Sequence, residues 1–258
     1  MKNKEYFVPV VPGLDLVGKT LSFETTDLEG NPVKSEELFA QHALTMVNIW
    51  TTWCGPCKGE LAGLAEMNRR LAEKDAAVVG LCLDADEEPE LCRSLLEENN
   101  ADYLNLLPFE GVQEELGVES FPTSFFVDRE GRILDLPFRG APYEMSDYED
   151  VIDSLLKGEN VEIGATAPAE GTEKNTCRVI VSDTEGNPVE GATVQFCSDD
   201  ACMLGKTDAE GVAVFEAEEG LTYTVHILKV PEGYEKSEEE FTVEDISSTV
   251  SVTLRKAA

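Results

Sequence analysis

Residues 44–60 read L-T-M-V-N-I-W-T-T-W-C-G-P-C-K-G-E. The first seven residues form a largely apolar run, which is typical of a strand buried on both faces of a sheet. Beyond Cys57, apolar residues recur at helical spacing as Leu61, Leu64 and Leu71. The pair of cysteines therefore lies where a buried strand ends and a helix begins.

This position favours redox chemistry for the C-x-x-C pair. The unpaired N–H groups and the dipole of a helix N-terminus stabilise a thiolate. We therefore predict that Cys54 is exposed there as the nucleophile. Cys57, one turn into the helix, is then the resolving thiol, and Pro56 stiffens the first turn. A purely structural disulfide is a second interpretation of the same pair.

A zinc site is the third interpretation of the pair, and the sequence argues against it. Structural zinc takes four ligands, usually from two such pairs or from one pair and histidines. This chain has one C-x-x-C, and its two histidines, His42 and His226, are distant in sequence. We therefore expect no metal and no other cofactor.

Two domains and a linker are predicted along the chain. In residues 1–157 strands alternate with helices and end in a hairpin, S-F-F-V-D followed by R-I-L-D-L, which indicates an α/β fold with a mixed central sheet flanked by helices. Residues 158–175 are small, polar and rich in Gly and Pro, as linkers are. Residues 176–258 show only short alternating strands separated by turns, the pattern of a small all-β sandwich.

A second motif, F-P-T-S-F-F-V-D, places Pro122 just before a buried strand. Together with the C-G-P-C pair, it resembles the thioredoxin superfamily, in which a cis proline faces the cysteines. The match is more specific to the TlpA/ResA-like extracytoplasmic branch of the redoxins and covers about residues 13–157. This resemblance implies a thioredoxin fold, exchange of disulfides with protein substrates, and a catalytic role for Pro122 beside the two thiols.

The same resemblance implies further site residues. Glu60 matches an acid that this branch places near its thiols, where it raises a thiol pKa or relays a proton; an exposed helical glutamate is the alternative. Asn48 stands where cytosolic thioredoxins have a buried aspartate. The expected substrate-binding residues flank the cysteines and the proline: Trp53, Gly55, Pro56, Phe121 and Thr123.

Two other functions compete with disulfide exchange. A thiol peroxidase of the peroxiredoxin type is one, because Thr51 and Cys54 form a T-x-x-C, although Val47 replaces the proline of that signature. A cell-surface protein that uses a thioredoxin-like domain only for binding is the other. Cys82 and Cys92 are either two buried apolar cysteines or a second disulfide or relay pair.

The C-terminal sequence resembles a Cna-B or prealbumin-like sandwich, here a spacer or docking module without catalysis. Cys197 and Cys202 flank a short acidic segment and are expected to form a structural disulfide. The motif D-x-E-G recurs at Asp27, Asp128, Asp183 and Asp208, where we predict hairpin turns and not calcium loops.

The charge and the cysteine content indicate which partners and which cellular compartment to expect. Residues 1–158 hold 31 acidic and 13 basic side chains and residues 159–258 hold 21 and 7, so both parts are acidic and nucleic acid is not an expected partner. The Cys197–Cys202 pair favours an oxidising compartment. We therefore expect an extracytoplasmic protein, secreted or membrane-anchored through a leader outside this sequence, that meets a membrane or extracellular redox partner.

Overall fold

The computed structural model divides into two compact units, residues 1–169 and 170–258. It describes residues 16–135, 137–142, 144–159, 175–218, 220–243, 246 and 249–257. Most of the predicted linker, residues 160–174, lies outside the described residues.

The N-terminal unit is the predicted α/β fold, a thioredoxin fold with helices against a mixed sheet. Its helices are α1 (Ser35–Phe39), α2 (Gly55–Leu71), α3 (Pro89–Glu98), α4 (Val112–Leu116) and α5 (Met145–Leu156), with a 3-10 turn at Ala72–Lys74. Its strands are β1 (Glu24–Thr26), β2 (Pro32–Lys34), β3 (Leu44–Trp50), β4 (Ala76–Cys82), β5 (Asn105–Leu106), β6 (Ser120–Phe121), β7 (Thr123–Asp128) and β8 (Phe138–Arg139).

The central sheet has the order β5-β4-β3-β7-β8. Strand β4 runs parallel to β3 and to β5, whereas β7 runs antiparallel to β3 and β8. Every residue of β3 and β7 is buried, as expected for central strands covered on both faces. Because β3 and β7 are antiparallel, the end of β3 lies beside the start of β7, with Ile49 opposite Thr123. This register brings the cysteine loop and the Pro122 loop to the same edge of the sheet.

The predicted hairpin after β7 is wrong in its second strand. The segment R-I-L-D-L makes isolated bridges, Arg132 with Thr20 and Ile133 with Val127, and the regular partner of β7 is β8. The reason is that the backbone hydrogen bonds of this segment are divided between β7 and the segment around Lys19. The Ile133 N–H donates to the Lys19 carbonyl, and the next N–H donates to Phe126.

The C-terminal unit is an all-β sandwich. Its strands are β9 (Asn175–Asp183), β10 (Thr193–Cys197), β11 (Cys202–Lys206), β12 (Val212–Ala217), β13 (Tyr223–Lys229), β14 (Phe241–Val243) and β15 (Thr249–Leu254). One sheet has the order β12-β9-β15, with β15 parallel to β9. Within the unit, the other sheet runs β14-β13-β10-β11 in antiparallel pairs.

The core of this unit lies between the two sheets. Stacked aromatic rings of Phe196, Phe215 and Tyr223 stand at its centre, with Val and Ile side chains around them. Cys177 is buried in the same core. Strand β11, with the sequence C-M-L-G-K, was not predicted, because its residues do not alternate in polarity.

The four D-x-E-G segments are hairpin turns, as predicted. In each, the aspartate Oδ1 accepts hydrogen bonds from the N–H groups two and four residues later. The glycine that follows has positive φ, between 73° and 86°, a conformation that glycine adopts without steric cost. The aspartate side chain replaces backbone hydrogen bonds that the tight turn leaves unmade.

Candidate active site

The C-G-P-C segment lies at the junction of β3 and α2. Cys54 is the N-cap of α2, in an extended conformation, and its Sγ accepts a hydrogen bond of 3.2 Å from the Cys57 N–H. Pro56 occupies the first turn, where the missing N–H costs no helical hydrogen bond. The two cysteines are joined in a disulfide with their Cα atoms 5.3 Å apart. The sulfur of Cys54 therefore receives the partial positive charge of a helix N-terminus.

The expected exposure of Cys54 is not what the structure shows. Both cysteine side chains are 0% exposed in the disulfide state. The Cys54 sulfur turns inward because it bonds to Cys57 Sγ and accepts the Cys57 N–H. Gly55 is exposed and Pro56 is half-buried, so the part of the motif that reaches the surface is its backbone turn.

The Pro122 loop adjoins this turn. The Phe121–Pro122 peptide bond is cis. The Phe121 ring packs edge-on against the half-buried Trp53 ring, with centroids 5.4 Å apart, which connects the two loops. The Pro122 carbonyl accepts a 2.8 Å hydrogen bond from the Gly140 N–H. Thr123 is already inside the sheet, opposite Ile49 on one side, and its hydroxyl donates to the Ser120 carbonyl.

Glu60 is buried, with 3% of its surface exposed, so the alternative of an exposed helical glutamate is wrong. It lies one turn after Cys57 on α2. The Asn48 amide donates to its Oε1 at 2.8 Å, and the Tyr148 hydroxyl donates to its Oε2 at 3.2 Å. Ser124 completes the cluster, because its hydroxyl lies 3.1 Å from the Asn48 amide and 3.4 Å from the Tyr148 hydroxyl.

This environment raises the pKa of Glu60 to about 8, because burial removes the water that would solvate a carboxylate. The hydrogen bonds from Asn48 and Tyr148 act in the opposite direction and limit the rise. The same burial, with the Glu60 charge beside it, raises the pKa of Tyr148 well above its ordinary value, so the phenol remains a donor. Glu60 thus holds a proton at neutral pH and releases it slightly above neutral pH.

A second acid, Asp84, fixes the loop before the cysteines. Its carboxylate accepts the Thr52 N–H at 2.9 Å and the Thr52 hydroxyl at 2.6 Å. The Cys82 thiol also donates to Asp84, at 3.3 Å. Asp84 therefore ties β4 to the segment that leads into the active-site turn.

Cys82 and Cys92 are both buried and both carry free thiols, so they form no disulfide in this structure. Burial and the neighbouring Cys92 and Asp84 raise the pKa of the Cys82 thiol. A protonated, inaccessible thiol is a poor nucleophile. The structure accordingly favours the prediction of two buried apolar cysteines over that of a relay pair.

Sequence reasoning missed three of these residues. Ser124 and Tyr148 complete the hydrogen bonds around Glu60, and Asp84 holds the loop, yet they lie in three different segments of the chain. The available signals were weak. Ser124 is a polar residue inside the apolar run of β7, and Asp84 directly follows a buried strand.

Cys197 and Cys202 form a disulfide across the β10–β11 hairpin, where they stand directly opposite each other. The Gln195 Nε2 lies 3.1 Å from Cys197 Sγ and 3.8 Å from Cys202 Sγ. Within the described residues, no group of three or more His, Cys, Asp or Glu side chains has the arrangement of a metal site. The described helices include none with the length and apolar character needed to cross a membrane.

Comparison with known proteins gives two family matches and several relatives. Residues 17–135 match the AhpC/TSA family, and residues 176–258 match the prealbumin-like fold domain. The thiol-disulfide oxidoreductase ResA of Bacillus thuringiensis subsp. konkukian is 27% identical over 114 residues, 44% of this chain and 64% of ResA. The thiol:disulfide interchange protein DsbE of Haemophilus influenzae is 32% identical over 120 residues, 46% of this chain and 64% of DsbE.

The chain thus spans less than two thirds of the length of these relatives. A crystal structure of a thiol:disulfide interchange protein of the thioredoxin family from Chlorobium tepidum aligns with 55% of this chain and 98% of its own, at 19% identity and a TM-score of 0.47. The chain is thus similar to the AhpC/TSA family over residues 17–135 and to the prealbumin-like fold domain over residues 176–258.

Proposed function

We propose that the protein is a thiol–disulfide oxidoreductase that exchanges disulfides with protein substrates through Cys54 and Cys57. The observation that carries this proposal is the Cys54–Cys57 pair at the N-terminus of α2, in ring contact through Trp53 with the Pro122 loop. Relatives that match the N-terminal part carry the names thiol-disulfide oxidoreductase and thiol:disulfide interchange protein, in agreement with this chemistry.

In the reduced protein, the Cys54 thiolate attacks a substrate disulfide and releases one substrate sulfur as a thiolate. The helix N-terminus and the Cys57 N–H stabilise the negative charge on Cys54 before attack. The Cys57 thiolate then attacks Cys54 Sγ, which re-forms the Cys54–Cys57 disulfide and releases the second substrate thiolate. Two electrons pass from the protein to the substrate, and every step runs in reverse when the substrate is a dithiol.

In its ionised form, which dominates above its pKa of about 8, Glu60 is the proposed proton acceptor for Cys57. The two residues are three positions apart on α2 and so lie on the same helical face. The Glu60 pKa of about 8 is close to the ordinary pKa of a thiol, about 8.5. A carboxylate with that affinity for protons takes the thiol proton with little free-energy change and returns it when the thiolate becomes a leaving group.

The proposed substrate surface consists of Trp53, Gly55, Pro56 and the backbone of Phe121, and Thr123 supports it from within the sheet. Gly55 and Pro56 supply the exposed backbone turn over the disulfide. Phe121 contributes the backbone just before the cis bond, and its ring packs on Trp53. Since Thr123 already pairs within the sheet, its part is to fix the position of the loop.

We place the protein outside the cytoplasm, with a membrane or extracellular redox protein as its partner. The Cys197–Cys202 disulfide supports this location, because structural disulfides persist in oxidising compartments. The prealbumin-like domain is then a spacer or docking module without catalysis.

Single-cysteine variants and insulin reduction by dithiothreitol test the proposal. Wild type is expected to accelerate insulin reduction, and both Cys54→Ser and Cys57→Ser are expected to abolish the acceleration. Only Cys57→Ser should accumulate a mixed disulfide with a disulfide-containing protein substrate, because it keeps the nucleophile and lacks the resolving thiol. Equal trapping by the two variants contradicts the assigned roles, and turnover of hydrogen peroxide without insulin reduction favours a peroxidase.

A further inference from the structure

We propose that Asp84 lowers the reduction potential of the Cys54–Cys57 couple, because its negative charge is held beside the turn that carries the Cys54 thiolate. Asp84 is then a positioning residue of the proposed reaction, and it biases the couple towards reducing its substrates. The inference rests on the proposed function, since it assigns a preferred direction to the exchange proposed there.

Asp84 lies at the edge of the central sheet where the cysteine turn begins. Strands β3 and β4 are parallel, and Trp50 at the end of β3 is paired with Cys82 at the end of β4. The pairing continues by one more bond, from the Leu83 N–H to the Trp50 carbonyl at 2.9 Å. The carboxyl ends of parallel strands meet at one edge of the sheet. The residues that follow the two strands, Thr52 and Asp84, therefore come into contact there.

Hydrogen bonds from Thr52 and Cys82 fix the Asp84 carboxylate. The Thr52 N–H donates to Oδ1 at 2.9 Å and to Oδ2 at 3.2 Å, and the Thr52 hydroxyl donates to Oδ2 at 2.6 Å. The Cys82 thiol donates to Oδ1 at 3.3 Å. All of these partners are donors, which is the arrangement that an ionised, acceptor-only carboxylate requires. The negative charge is therefore held at one place relative to the turn.

The charge of Asp84 is not neutralised by a basic side chain. Within the described residues, no lysine or arginine forms an ion pair with Asp84. Two other ionisable groups stand on α2 near the cysteines. Glu60 is buried with a pKa of about 8, and Lys58 is half-buried and directly follows Cys57. Both are the same in wild type and in an Asp84 variant, so a difference between the two proteins reports the change at Asp84.

The path from Asp84 to Cys54 is short. The Thr52 N–H that Asp84 accepts belongs to the Thr51–Thr52 peptide group, and the carbonyl of the same group accepts the Cys54 N–H at 3.3 Å. Two hydrogen bonds joined by one peptide group span at most about 9 Å. The carboxylate therefore lies within that distance of the Cys54 N–H.

The Asp84 charge acts on only one redox state of the couple. In the reduced state it repels the Cys54 thiolate, whereas the disulfide carries no charge. Oxidation removes this repulsion: the Cys54 thiolate and the Cys57 thiol form one S–S bond, and two electrons pass to the substrate disulfide. The two substrate sulfurs take one proton from Cys57 and one from solvent. Two unit charges about 9 Å apart, at an effective dielectric constant of about 20 to 40, change this equilibrium about fivefold to twentyfold.

The direction of the bias follows from the sign of the charge. The N-terminus of α2 stabilises the Cys54 thiolate, and Asp84 opposes that stabilisation. A less stable thiolate makes the dithiol the better electron donor. The substrates that Asp84 favours are therefore protein disulfides, which the protein reduces.

Asp84→Asn tests the inference in the full-length protein, because it removes the charge and keeps a carbonyl oxygen that accepts the Thr52 N–H. The first measurement is the pKa of the Cys54 thiol in the reduced protein. The pH dependence of its alkylation by iodoacetamide, followed by peptide mass spectrometry, gives this pKa. It is expected to be about one unit lower in Asp84→Asn than in wild type, because the thiolate no longer lies near a negative charge.

The second measurement is the reduction potential of the couple. Both proteins are equilibrated with reduced and oxidised dithiothreitol one pH unit above the wild-type pKa of Cys54, where the thiolate predominates. Samples are quenched with acid and alkylated, and peptide mass spectrometry gives the reduced fraction. The equilibrium is expected to shift about tenfold towards the reduced form in Asp84→Asn, which corresponds to a potential about 30 mV higher.

Three further variants separate the charge from the structure of the loop. Asp86→Asn is the matched control, because it removes a charge from an exposed position two residues later, where water screens it, and it is expected to stay within about twofold of wild type. Asp84→Ser removes the charge with a smaller side chain and is expected to shift the equilibrium in the same direction as Asp84→Asn. Thr52→Val keeps the charge, loses the hydroxyl bond and is expected to stay within about twofold of wild type. Wild-type potentials in both Asp84 variants, or a larger shift in Thr52→Val than in Asp84→Asn, overturn the proposal.

Insulin reduction by the wild-type sample separates this inference from the proposed function. Acceleration of insulin reduction together with equal potentials in wild type and Asp84→Asn overturns the role of Asp84 and leaves the proposed function standing. No acceleration with equal potentials overturns both. A higher potential in Asp84→Asn without insulin reduction supports the role of Asp84 in the couple and counts against external protein substrates.

Discussion

The buried carboxyl of Glu60 makes the stability of the N-terminal unit depend on pH, and the substitution Glu60→Gln tests this dependence. The pKa of Glu60 is about 8 in the folded protein, against an ordinary value of 4.5. Between these two values the folded protein keeps a proton that the unfolded chain releases. Unfolding therefore becomes easier as pH rises, by about 1.4 kcal/mol per pH unit.

Glutamine keeps the shape of the protonated side chain and does not ionise. Its Oε1 accepts the Asn48 amide as Glu60 does, and its amide donates to the Tyr148 hydroxyl. Relative to Glu60→Gln, wild type is expected to lose about 4 kcal/mol of unfolding free energy between pH 5 and pH 8. The loss is complete above the folded pKa and absent near pH 4.5.

Urea unfolding at pH 5, 6, 7 and 8 measures this difference. The only two tryptophans of the chain, Trp50 and Trp53, lie in the N-terminal unit, so their fluorescence follows that unit alone. Glu66→Gln, at an exposed position of the same helix, is the matched control and is expected to parallel wild type within about 0.5 kcal/mol. Parallel pH curves for wild type and Glu60→Gln would refute the reasoning, because Glu60 would then ionise at its ordinary pKa despite burial.

Two further substitutions test the cluster around Glu60 and the packing between β4 and β5. Tyr148→Phe removes one hydrogen bond to the Glu60 carboxylate, so the pKa of Glu60 should rise by about one unit. The pH midpoint of dithiol exchange should rise by the same amount, and stopped-flow rates between pH 6 and pH 10 measure it. An unchanged midpoint would indicate that Tyr148 does not tune this acid. Gly80→Ala places a Cβ in steric overlap with the Asn105 Oδ1 and should cost about 2–4 kcal/mol in urea unfolding. Gly59→Ala, with open space at its Cβ, is the control and should stabilise α2 by about 0.5–1 kcal/mol, and equal effects of the two changes would contradict the packing argument.

The location of the C-x-x-C pair followed from local sequence. The apolar run at residues 44–50 and the leucine spacing after Cys57 place a buried strand before a helix, and the structure has β3 and α2 there. The aspartates of the D-x-E-G turns were equally predictable, because their hydrogen bonds reach only four residues along the chain. Such features depend on neighbours in sequence.

The burial and the raised pKa of Glu60 could not be predicted from local sequence. Glu60 is one of 52 acidic residues, and nothing in its own segment separates a buried glutamate from an exposed one. Its partners come from β3, β7 and α5, and 88 residues separate it from Tyr148. The short strand β11 was missed for a related reason. It is a strand because it pairs with β10, and its own sequence shows no alternation of polar and apolar residues.

By itself, the sequence determined where the two motifs of the proposed chemistry lie: a C-x-x-C at a strand-to-helix junction and a proline before a second buried strand. Helix dipoles, helix caps and the hydrogen bonds of turns act over one or two turns, so they depend on residues that are close together in sequence. Only the tertiary structure decided the proton affinity of Glu60. That affinity depends on desolvation and on hydrogen bonds from Asn48 and Tyr148, which lie in distant segments and reach Glu60 only when the sheet and its helices are assembled.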